Sequence, residues 1–185
     1  MDKRSFLACG LLAVLATACS STSSGDPAAK RSSIDASVES AMSRLHAQVP
    51  GSRELTGKAR GVLVFPSVVS AGLGVGGSYG QGALRVGGRS VGYYSTTAAS
   101  VGLLAGADSK AVFLLFMTQD ALDRFRASNG WTAGADASVT MMKTGASAAI
   151  DTQTAEQPVV GFALSNAGLM ANLSLDGTKV SKLDL

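Results

Sequence analysis

Cysteine is nearly absent from this chain: of 185 residues only Cys9 and Cys19 carry a thiol, and both fall within the first nineteen. Everything beyond Cys19 therefore lacks a thiol for a disulfide, a metal or a nucleophile. Histidine occurs once, as His46, which excludes a multi-imidazole metal centre. A Ser/His/Asp arrangement would have to use this one imidazole as its base, yet His46 falls on the polar side of a helical segment and reads as a solvated surface residue. Aromatic residues make up only 5% of the chain. The N-terminal apolar run, residues 6–15, is shorter than the roughly 20 residues a bilayer-spanning helix needs. Acidic residues are missing from the whole stretch between Glu54 and Asp108, where Lys58, Arg60, Arg85 and Arg89 all occur. The overall charge is nonetheless only +3, too small an excess to favour nucleic acid as a partner.

What is present begins with a three-part N-terminus. Lys3 and Arg4 supply a basic start, residues 6–15 an apolar stretch, and Ala16, Thr17 and Ala18 a run of small residues. That order is expected of a secretory signal peptide over residues 1–18. The segment Leu15-Ala16-Thr17-Ala18-Cys19 resembles the bacterial lipobox, with Ala16 where Leu is commoner. The resemblance implies cleavage before Cys19, acylation of its thiol and lasting membrane attachment. Ser20, directly after that cysteine, implies sorting to the outer membrane with the protein facing the periplasm. Cleavage removes Lys3, Arg4 and Asp2 and leaves the remainder near +2. Residues 19–33 are rich in Ser, Thr, Ala, Gly and Pro and read as the lipidated cysteine and a flexible tether, with one folded domain over residues 34–185.

Over residues 34–49 the apolar positions Ile34, Val38, Ala41, Met42, Leu45 and Val49 recur at helical spacing, which predicts an amphipathic helix with Ser33 as N-cap and Pro50-Gly51 as its stop. A second short helix is expected over residues 53–59. Strands follow. Residues 61–66 form an apolar run closed by Pro66, as in a buried strand. From Gly72 to Val86 glycine falls on nearly every second residue. Alternate residues of a strand share a face, so one face of this segment carries almost no side chains and admits a close backbone, a helix or a tight barrel bend. Gly87-Gly88 reads as a hairpin turn into a strand from residue 90. Residues 100–106 and 111–117 read as further strands, residues 120–126 as a helix with Leu122 and Phe125 inward, and residues 169–175 with 178–183 as a hairpin around Asp176-Gly177. The whole predicts a single-domain α+β fold in which the N-terminal amphipathic helix packs on a twisted, barrel-like, mostly antiparallel sheet with one further short helix.

The chemical motifs are sparse. Gly72-x-Gly74-x-x-Gly77 satisfies a dinucleotide-binding pattern, but the chain continues as strand instead of opening a helix, and no acid follows about 20 positions on. Asp108, Asp120, Asp123 and Asp136 have no spacing that selects a catalytic pair, and loop or cap roles suit them better. No catalytic residue, metal site or cofactor is therefore assigned, and the chain is not read as an enzyme. What remains is a surface role for Arg44, Arg53, Lys58, Arg60, Arg85 and Arg89, cations in an acid-poor region suited to anionic head groups. Sequence alone leaves open whether they share a face or scatter.

From about residue 60 onward the chain resembles the SYLF domain, a lipid-binding family. The resemblance is carried in order by residues 61–66, 72–82, 99–107, 133–139 and 168–177. It departs from many members at Tyr94-Ser95-Thr96-Thr97, where they carry a Trp-Ser-x-Pro segment; if that segment shapes a ligand surface, lipid specificity here differs. The resemblance implies phospholipid binding: phosphoinositides for eukaryotic members, and other anionic lipids such as phosphatidylglycerol or cardiolipin in a bacterial envelope. Actin binding belongs to one branch of the family and is not carried over. Two further readings stand beside this one: an envelope structural or protein-interaction lipoprotein with a protein partner, and a carrier that holds an acyl chain within the sheet.

Overall fold

The computed structural model describes residues 26–142, 157–166, 168–170 and 174–185. The expected signal peptide, Cys19 and the first part of the tether lie outside the described residues.

Helix α1 runs Pro27–Gln48. Its N-cap is Asp26, whose carboxylate accepts the Ala28 amide at 3.0 Å, and Pro27 takes the first helical position, where a missing N–H costs nothing. Here the expectation is corrected. The helix begins seven residues before Ile34, so residues 27–33 are helical and not tether, and Ser33 lies inside the helix. The first turn is exposed, so no apolar periodicity marked it. Ile34, Val38, Ala41 and Leu45 form the buried stripe. Helix α2, Ser52–Lys58, follows at once. Its buried Ser52 shares its one hydroxyl proton between the carbonyls of Val49 and Leu45, at 2.6 and 3.1 Å, and so adds a donor at the end of α1, where both oxygens already accept a main-chain amide.

Strands β1, Gly61–Val86, and β2, Arg89–Phe116, form one antiparallel ribbon. They are joined by Gly87-Gly88 at φ 57° and 80°, the paired positive angles that a two-residue hairpin turn demands. Straight, a strand of 26 residues would reach about 85 Å at roughly 3.3 Å per residue. Instead the ribbon folds back. A Cβ at Gly82 would collide with the Val64 carbonyl, and one at Gly80 would stand 2.8 Å from the Ser67 carbonyl oxygen. The bare glycine face of the second half thus lies against the backbone of the first half of the same strand.

After β2 come helix α3, Gln119–Ala127, capped by Thr118, and the short strands β3, Trp131–Thr132, and β4, Thr140–Met141. Then follow β5, Val159–Ser165, β6, Gly168–Leu169, and β7, Lys179–Leu183. The seven strands among the described residues form one curled sheet, antiparallel except where β4 runs beside β5. β5 pairs with the end of β2, from Ala111 to Phe116, and β7 with its first half, from Tyr93 to Thr97. The turn at Asp176-Gly177 is present, and among the described residues β7 pairs with β2 and β3; residues 171–173 of the expected partner strand lie outside the described residues.

Both faces of the sheet are buried. Val62, Val64, Phe113 and Leu115 point to α1 and join Val38, Leu45, Leu55 and Phe162. Leu63, Phe65, Leu114 and Phe116 point the other way, to Leu122, Phe125 and Trp131. Burial on both faces explains why residues 61–65 read as a continuous apolar run and not as an alternation. On the second face Phe125 lies tilted against Phe116 at 4.8 Å and edge-on to Trp131 at 5.7 Å, ring centre to ring centre. Among the described residues no helix is long and apolar enough to cross a membrane.

Candidate functional site: an arginine groove between the first helices and the hairpin turn

Helix α1 is held to the ribbon by a row of polar contacts. Asp35 accepts from Ser90 Oγ at 2.7 Å and from the Tyr93 hydroxyl at 2.8 Å. Arg31 donates to the main-chain oxygen of Leu185 at 2.6 Å. Glu39 pairs with Arg85 at 2.5 Å, and the same guanidinium donates to the Gly88 carbonyl at 2.7 Å. Tyr93 holds its proton above the usual phenol range, first through burial and then through the bond to Asp35, with Arg31 opposing.

Beyond this row, where α1, α2 and the Gly87-Gly88 turn meet, lies a groove of about 450 Å³. Arg53 enters it from the first turn of α2, Arg60 from the residue before β1, and Arg85 from the end of β1. His46 and Thr56 complete one wall, with Nε2 and Oγ1 3.0 Å apart. The ion pairs formed among the described residues are Lys58 with Glu54, Arg85 with Glu39, and Arg124 with Asp120. Arg53 and Arg60 are therefore exposed guanidiniums without a carboxylate within 4.0 Å among the described residues. The groove carries a positive excess. The His46 pKa is lowered below the ordinary imidazole value, first by burial and then by the charge of Arg53, against an opposing pull from Glu39.

Of the six cations singled out in the sequence, the fold brings three together. Arg53, Arg60 and Arg85 share the groove. Lys58 points elsewhere and is matched by Glu54 one helical turn back at 2.7 Å. Arg44 and Arg89 are exposed and line no part of the groove. His46 was read as a solvated residue on the polar side; it is half-buried between the two helices. The signal for it was present, since Glu39, Met42 and His46 recur at intervals of three and four, one stripe over from the buried one. Nothing in the spacing of the sequence told that α2 would fold back to cover that stripe.

The acids follow the same local logic. Asp120 sits in the first turn of α3, where a negative charge suits the exposed amides. Asp123 accepts from Gln119 at 2.9 Å, and Asp136 accepts the Thr132 amide at 2.6 Å within a turn. Among the described residues no group of three or more His, Cys, Asp or Glu side chains is placed to hold a metal ion.

Residues 97–184 match the model of a family described as Ysc84, Las17-binding protein actin regulator. The match spans just under half of the chain and supports a SYLF-domain protein over that range. It ends short of the arginine groove, whose lining lies between residues 42 and 88. No curated protein matches the chain significantly.

Proposed function

We propose that this chain is a membrane-tethered lipoprotein of the bacterial envelope whose domain binds the head groups of anionic phospholipids in the arginine groove, without catalysing a reaction. The observation that carries the reading is the convergence of Arg53 and Arg60, with no carboxylate within 4.0 Å among the described residues, on a groove already lined by Arg85. Guanidiniums present paired N–H donors to phosphate oxygens, and an unpaired one gains more from an anion than one already matched. The resemblance to the lipid-binding SYLF family agrees with this, and the groove assignment itself rests on geometry. Residues 1–18 act as the export signal, Cys19 carries the acyl anchor, and the protein faces the periplasm from the outer membrane. Anchoring and recognition are then separate: the acyl chains hold the protein at a membrane, and the groove selects which lipids lie beside it.

The mature chain from residue 19 carrying Cys19→Ser, which lacks both the apolar export signal and the acyl acceptor, tests the head-group reading without the anchor. It is expected to sediment with vesicles containing phosphatidylglycerol or cardiolipin and much less with phosphatidylcholine vesicles. Replacing Arg53 and Arg60 together by alanine should abolish the difference. Equal binding to both vesicle types, or to neither, refutes the reading. Mass spectrometry of the N-terminal peptide from cells separately tests acylation of Cys19.

One observation favours a protein-interaction role instead. Val69, Val75 and Tyr79 stand on the same side of β1 and are 49%, 69% and 49% exposed, on a strand without a charge from Gly61 to Leu84. Capture of one stable envelope protein through this stripe, lost on Val75→Asp, would support that role over head-group binding if the vesicle assay fails.

A further inference from the structure

Inside the curl of the β1–β2 ribbon, on the face of the sheet away from α1, lies a second cavity of about 480 Å³. It shares no lining residue with the arginine groove, and its volume falls within the roughly 300–1,000 Å³ typical of small-molecule sites. Its floor consists of the buried side chains Phe65, Val68, Val112, Leu114, Trp131 and Leu175. Its walls are short: Ser78 and Ala98 leave the trough open where larger residues would fill it.

The rim is polar and has one half-buried cation. Lys110 reaches Ser70 Oγ at 3.5 Å, the outer limit of a hydrogen bond, and it forms no ion pair among the described residues. Asp108 and Asp176 also stand on the rim, both exposed to water. An apolar trough beneath a half-buried ammonium is complementary to a single-chain amphiphile with an anionic end. We infer that this cavity takes the acyl chain of a long-chain fatty acid, with the chain along Phe65, Leu114 and Trp131 and the carboxylate at Lys110. The ammonium, now held only by a long bond to a neutral hydroxyl, gains a charge-assisted partner. This site does not depend on the arginine groove.

Trp131 is the one tryptophan of the chain and lies in the floor, so it reports occupancy directly. Brominated fatty acids titrated into the mature Cys19→Ser chain, residues 19–185, are expected to quench its emission by contact. In a series of saturated acids from about 8 to 16 carbons, competing with the brominated probe, each added pair of methylenes should tighten binding roughly tenfold until the trough is full. Lys110→Met should weaken the acids roughly tenfold and leave the methyl esters unchanged. Ala98→Phe, which fills the trough, should abolish binding of both, with an unchanged thermal melt showing that each variant is folded. The double Arg53/Arg60 alanine variant should bind fatty acids like the parent, so that failure of the groove reading and failure of this one are told apart. Absent quenching, affinity independent of chain length, or equal weakening of acid and ester by Lys110→Met overturns the inference.

Discussion

Gly82→Ala isolates the close approach on which the whole curl depends. A methyl group there meets the Val64 carbonyl, with the Val64 carbonyl carbon at 2.8 Å and Phe65 Cδ1 at 2.9 Å. Two of these three atoms are backbone, which cannot rotate away as a side chain end can, so the halves of β1 must separate. Overpacking of this kind costs about 1–3 kcal/mol, and more when backbone moves. Against it stands the gain from a stiffer unfolded chain, about 0.4–1 kcal/mol for a glycine whose backbone angles alanine can adopt. Gly82 is not among the positive-φ glycines, so that gain applies in full. The net expectation is a loss of about 1–2 kcal/mol, which in a domain of this size lowers Tm by roughly 2–8 °C. Gly57→Ala is the matched control. It places the same methyl group in α2 with nothing within 4 Å, and helix propensity predicts a gain of up to about 1 kcal/mol. Urea and thermal unfolding of the two variants side by side check the reasoning. A Gly82→Ala protein as stable as the parent would mean that the halves of β1 are not in backbone contact.

Ser52, His46 and Tyr93 each have a measurable consequence. Ser52→Ala should cost about 1–2 kcal/mol in urea unfolding, because the Val49 and Leu45 carbonyls lose a buried donor. His46 should titrate below its ordinary value by NMR; its share of stability is complete above the unfolded-state value and is lost as pH falls through the lowered one, so His46→Gln should flatten the acid side of the stability profile. Phosphate binding in the groove should move that titration upward. Tyr93 behaves in the opposite sense: its contribution is complete below the unfolded-state phenol value and is lost as pH rises through the raised one, and Tyr93→Phe should remove a late-titrating component from the alkaline absorbance curve.

Much of the architecture was legible because it is written in local chemistry. The glycine pair at 87–88 forces a turn, Leu122 and Phe125 mark the inner face of α3, and alternating glycines in 72–82 announce a face bare enough for another backbone. The start of α1 was misread for a physical reason: Asp26 and Pro27 are an adequate cap and first residue, but the exposed first turn offers no apolar period to extend the pattern backward. The C-terminal turn is legible because turn chemistry is local, whereas the pairing of β7 with residues 93–97, which buries Val180, joins segments far apart in the chain and leaves no local signal. The site divides in the same way. Charge depletion between residues 54 and 108 pointed to the right region, yet only tertiary packing separates Arg53, Arg60 and Arg85 from the paired Lys58 and the outlying Arg44 and Arg89. The fatty-acid trough left a fainter trace: Ser70 and Ser78 continue the run of small residues in β1 beyond the large Phe65 and Val68.

The doubled-back ribbon also orders events in time. Pairing between β1 and β2 is nearest in sequence at the glycine turn and most distant where Gly61 meets Phe116, so loop-closure entropy favours zippering outward from the turn. The approach of Gly82 to Val64 is held in register only when both halves of β1 are paired with β2, at Gly82–Tyr94 and at Val64–Phe113, so the fixed curl is expected to be a late contact. Late contacts govern how fast a native protein opens more than how fast it forms. The glycine face is thus a latch on the unfolding rate, and a chain without it would fold at nearly the same speed but stay folded for less time.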